Sequence, residues 1–247
     1  TSAETVMVEV GPELKKYFVH KPLLTSHSEY FRKALQGSWK EAREGTVSLK
    51  DVDARVFKLF VHWIYTNALP KENELDQLTG PYEPDGQAFW FYINAYVFRD
   101  RFLALGFQRA VQEALGSYLN NPFPWDDDSI NAVQYAVANI APHRPIFQQL
   151  VDYYCFSWRW TDDEGGTKCN AAFRSLLQKE LPTSFVVRVM WKFRELQQIS
   201  EGRVVETKAR CYIEHGSDKE EKHCNKLHMR YDYKDDYGYF SECRTEE

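Results

Sequence analysis

Between Phe18 and Tyr65 the apolar positions fall into a succession of distinct periods. Upstream, Thr5–Val10 alternates apolar with polar residues, and beyond the Gly11–Pro12 turn Lys16–His20 reads as the second arm of a β-hairpin. Pro22 then stands where the first turn of a helix tolerates it, because that position needs no N–H donor. Leu23 and Leu24 supply a short apolar pair. Tyr30, Phe31, Ala34 and Leu35 recur at helical spacing, and Gly37 ends that helix. Thr46-Val47-Ser48-Leu49 alternates as a half-buried strand. Asp51 and Asp53 offer N-caps to a further helix, in which Val56, Leu59, Phe60, Trp63 and Ile64 form one wide apolar stripe.

From Asn67 to Gln87 the residues are polar and punctuated by Pro70, Gly80, Pro81, Pro84 and Gly86, which predicts a loop. Aromatics crowd the next stretch at Phe89, Trp90, Phe91, Tyr92, Tyr96 and Phe98. At this spacing they mark a core rather than a stacking site for a base or cofactor. Pro122 and Pro124 mark a boundary. Asp126, Asp127 and Asp128 then precede a helix over Ile130–Ile140, where carboxylates meet the positive end of the helix dipole. Further helices are expected over Pro145–Trp160, Cys169–Leu181 and Thr183–Gln198, followed by a polar, charged tail over 201–247.

A chain of 247 residues that is 43% hydrophobic can bury one large or two small cores. Its net charge of −5 argues against a dedicated nucleic-acid binder, which rests on a clustered basic surface. No apolar run reaches the ~18–20 residues of a membrane span. Even the most apolar helix is interrupted by Lys58 and His62, and no basic-then-apolar leader opens the chain. A cytoplasmic or nuclear protein is expected. The cysteines at 155, 169, 211, 224 and 243 are odd in number and scattered, which does not suit a disulfide framework.

Two stretches of the tail, Cys211-Tyr-Ile-Glu-His215 and Cys224-Asn-Lys-Leu-His228, repeat a C-x-x-x-H pattern. If each is helical, its Cys and His share a face. Cys211, His215, Cys224 and His228 could then close a tetrahedral structural zinc shell. The alternative is a plain polar tail with incidental cysteines, and His223 would compete as a ligand. A closed shell leaves no open position for chemistry, and zinc is the only cofactor the residues suggest. No nucleophile elbow, phosphate-binding glycine loop, dinucleotide fingerprint or H-E-x-x-H pair occurs, so no enzyme is expected.

The ordered blocks V-H-K-x-L-L from Val19, S-x-x-F-R-x-A-L from Ser28, W-K-E-A from Trp39 and V-x-L-x-D-V-x-x-x-V-F-x-L-F-x-x-W-I-Y-T from Val47 resemble a BTB/POZ domain. The resemblance is to the divergent kind abundant in filamentous fungi. It extends to Y-V-F-R-D-R-F at Tyr96–Phe102 and covers about 1–120, with 67–87 as its polar loop. It implies an α+β fold, a small mixed sheet flanked by α-helices, followed by an α-helical extension over 121–200 that is similar to a BACK domain in architecture alone. What the family implies is self-association as a homodimer, partly through the N-terminal strand and first helix, and docking of protein partners without chemistry. Trp39-Lys40-Glu41 fits the hydrophobic-x-Glu pattern that helps BTB adaptors of ubiquitin ligases dock the cullin-3 scaffold. Trp39 and Glu41 are therefore the candidate partner-binding residues, unless Trp39 packs beneath the strand at Val47. The implied function is an interaction module, with a cullin-3 substrate adaptor as its specific form. The alternative is a nuclear regulator with a zinc-binding tail.

Overall fold

The computed structural model describes residues 4–80, 86–119, 127–157, 181–200, 212–215, 217 and 219–220. The expected hairpin is present as β1 (Thr5–Val10) and β2 (Lys15–His20), antiparallel, with Val6 opposite Val19 and Met7 opposite Phe18. β3 (Thr46–Leu49) pairs with the other side of β1 in parallel, so the sheet is mixed, in the order β2-β1-β3. Parallel pairing demands a crossover. It is supplied here by α1 (Lys21–His27), α2 (Glu29–Ala34) and α3 (Lys40–Glu44). Strand alternation sends Val6, Val8, Val10, Val19, Val47 and Leu49 to one face, where none is more than 1% exposed.

That face is covered by α4 (Ala54–Thr66), whose expected stripe of Val56, Leu59, Phe60, Trp63 and Ile64 is buried throughout. Asp53 is its N-cap, accepting the Arg55 amide at 2.7 Å. Asp51 does not cap; its carboxylate instead pairs with Arg101 at 2.5 Å. The stretch expected as loop contains α5 (Glu72–Thr79). Its polar composition hid two anchors: Leu75 is buried, and Leu78 packs on the core. The Leu78 carbonyl, near the end of α5, accepts from Lys58 Nζ at 3.1 Å.

α6 (Gly86–Phe102) is apolar on every side because it is a central helix, packed against α4 as well as α7 (Leu105–Leu119) and α8 (Asp127–Asn139). Aromatic rings join it to the sheet-bearing part. Phe98 and Phe102 stack at 4.2 Å, Phe102 stacks on Phe31 at 5.6 Å, and Phe60 meets Phe98 at 5.2 Å and Phe107 at 5.4 Å. Ser28 ties the same seam, donating to the Phe102 carbonyl at 2.6 Å while capping α2. Gly106 brings α7 close: a Cβ there would lie 2.8 Å from the Trp63 indole carbons.

α8 begins at Asp127, three residues before the expected start at Ile130, so Asp127 and Asp128 lie in its first turn; it is followed by α9 (Pro145–Ser157) and α10 (Thr183–Ser200). α9 and α10 pack through Phe185, whose ring meets Phe147 at 6.0 Å and Tyr154 at 5.9 Å. The helix expected over 169–181 lies outside the described residues, apart from Leu181. No helix among the described residues is long and apolar enough to cross a membrane.

Candidate functional site

The segment between α2 and β3 is held by few core contacts, and it presents Trp39 and Glu41. Trp39 is the N-cap residue of α3 in extended conformation, without a side-chain capping bond, and it is 66% exposed. An indole this exposed is not packed beneath the strand at Val47. α3 is only five residues long and stops at Gly45, whose φ of 62° is left-handed and favours glycine. Glu41 lies in its first turn. Lys40 pairs loosely with Glu44 at 3.8 Å, while Glu41 makes no ion pair among the described residues. An exposed indole next to an uncommitted carboxylate is the chemistry of a docking anchor.

A second exposed feature lies on the open edge of the sheet. Among the described residues β2 has a strand partner on one side only, and Phe18 is 70% exposed on it. Beside it, His20 Nδ1 and the Tyr65 hydroxyl are hydrogen-bonded at 2.6 Å, which gives His20 a structural role. An edge strand with an exposed aromatic is a template for pairing or packing with another chain.

The C-terminal segment departs from the expected polar tail. Tyr212 is 6% exposed, its hydroxyl donates to Asp152 at 2.6 Å, and Gln112 donates to its carbonyl. Asp152 also meets Lys192 at 3.5 Å, and both side chains are 2% exposed. Two residues on, Glu214 pairs with Arg144 at 2.5 Å and accepts from the Tyr96 hydroxyl, which in turn accepts from Gln108 at 3.0 Å. Burial, and then this bond to a carboxylate, push the Tyr96 phenol well above its usual range. Residues 212–215 thus strap α6, α7 and α9 together. The signal was the isolated aromatic in a charged run; its partners Gln112, Asp152 and Lys192 are each unremarkable in sequence.

This strap corrects one premise of the zinc reading. Residues 212–215 are not helical; Gln112 donates to the Tyr212 carbonyl and accepts from the Glu214 amide. Of the four expected ligands His215 alone is described; Cys211, Cys224 and His228 lie outside the described residues. Among the described residues no cluster of His, Cys, Asp and Glu is placed to hold a metal ion. Cys155 is the one cysteine among them, free and buried. Burial, with the nearby Asp152 carboxylate, pushes its thiol up to about 12. The reactive thiolate is therefore disfavoured in the folded protein. Peptide mapping after iodoacetamide should find Cys155 labelled only in the unfolded chain; rapid labelling of the native protein would show that the α9–α10 seam opens.

The described N-terminal part is thus a small mixed sheet packed with helices, with Trp39 and Phe18 exposed on it. Residues 4–79 match the family model of the BTB/POZ domain, and this part of the chain is a BTB/POZ domain. The match spans less than half of the chain and ends at the close of α5, so α6 to α10 stand beyond it. A BTB/POZ domain docks protein partners.

Proposed function

We propose that the chain is a self-associating BTB adaptor whose α3 segment docks a cullin-3 scaffold and whose helical part serves to present a client protein. The supporting observation is the 66% exposure of Trp39 directly before Glu41, on a short helix that the core does not otherwise need. A partner that covered the indole would gain its apolar area, and Glu41 would orient a cation or a backbone donor. Truncating such an anchor costs about 2 kcal/mol or more, a loss of roughly 30-fold in affinity. In calorimetry with an N-terminal cullin-3 fragment, the Trp39→Ala/Glu41→Ala chain should bind at least that much more weakly. Its melting temperature should match that of the parent, because neither side chain is part of the core. Undiminished binding would sink this docking site.

A further inference from the structure

α10 is an amphipathic helix with its polarity reversed in part. Phe185, Val189 and Leu196 pack inward on α9, yet Val186, Val187, Met190, Trp191 and Phe193 are exposed on the other side. Met190 and Trp191 reach 66% and 65% exposure. Single exposed apolar residues are ordinary, but five on one face of one helix form a continuous patch. Among the charged residues that line its groove, Arg188 and Arg194 are basic and the Glu195 carboxylate is offset by Lys192. Lys192 is committed inward to Asp152 at 3.5 Å and to Glu195 at 3.2 Å. Arg188 and Arg194 rest on the rings of Phe147 and Trp191, at 5.0 and 6.0 Å, and make no ion pair among the described residues. Both arginines, Trp191 and Gln198 line a shallow groove of about 630 Å³. An occupant that complements this face carries aromatics interleaved with carboxylates.

The chain supplies such a segment. Its last 17 residues, 231–247, lie outside the described residues and read Y-D-Y-K-D-D-Y-G-Y-F-S-E-C-R-T-E-E, with Asp232, Asp235, Asp236 and Glu242 set among Tyr231, Tyr233, Tyr237 and Phe240. The strap brings the polypeptide to the groove's margin, since Tyr212 and Lys192 share the carboxylate of Asp152. Tyr231 follows Glu220 by 11 positions. Glu220 itself is tied to Arg109 of α7 at 2.5 Å, and the 11 positions that follow span about 36 Å when extended. The geometry points to the acidic aromatic segment 231–242 as the occupant of the exposed face of α10, with Arg188 and Arg194 paired to its aspartates. This inference is independent of the cullin-docking proposal and concerns the other end of the molecule.

Hydroxyl-radical footprinting of the full-length chain tests it, read at Met190 and Trp191. Reversing the tail charges (Asp232→Lys, Asp235→Lys and Asp236→Lys together) should raise labelling of both residues about fivefold, the size expected of a few exposed ion pairs. The reversed groove, Arg188→Asp with Arg194→Asp, should do the same. Combining the two sets should restore protection, and added salt should weaken it in the parent. Equal labelling in all four chains would overturn the assignment. So would protection that grows with protein concentration and survives tail reversal, which would give the face to a second copy of the chain.

Discussion

Replacing Lys192 by methionine should destabilise the helical part of the chain by about 3–5 kcal/mol. Lys192 and Asp152 lie 3.5 Å apart and are each 2% exposed, so removing the ammonium leaves a carboxylate in the interior without this counter-charge. The cost lies in the stranded charge more than in the pair itself. The double replacement Lys192→Met/Asp152→Leu should therefore recover part of the loss but not all of it, because it also gives up the hydrogen bonds that Asp152 accepts from Tyr212 and Gln148, each an effect of about 1 kcal/mol. Urea unfolding of the two single variants and the double variant gives the coupling directly. A cost below about 1 kcal/mol for Lys192→Met would mean that the pair is solvated, which would remove the central tie between α9, α10 and the strap.

Phe60→Ala should cost a similar amount, about 3–5 kcal/mol, for a different reason. Phe60 is fully buried and its ring meets Phe31 of α2, Trp63 of α4, Phe98 of α6 and Phe107 of α7. The cavity would open between the BTB/POZ part and the helices beyond it. Hydrogen exchange should then accelerate in α2 and in α6–α7 together. Acceleration confined to α2 would show that the ring cluster does not couple the two parts.

The same seam explains what was legible in the sequence. Strand alternation over Thr5–Val10 and Thr46–Leu49, and the stripe of α4, announce burial by period alone, and the structure places each as expected. α5 was hidden because its anchors are two leucines, Leu75 and Leu78, in a sequence that is otherwise polar. The strap was hidden for a deeper reason. Its buried polar bonds join residues 60 to 118 positions apart, Tyr212 to Asp152 and Glu214 to Tyr96, and no local pattern encodes such pairings. Trp39 was legible as a motif, but the exposure of its indole was not, since α3 is five residues long and carries no apolar period.

Self-association is the claim on which the adaptor reading depends, and the mass of the full chain in solution tests it most directly. Light scattering over a concentration series should give twice the 29.1 kDa chain mass, with Phe18→Asp shifting the population back toward the single chain. A mass of 29.1 kDa at every concentration would contradict it, leaving a monomeric docking domain whose open edge strand has another use.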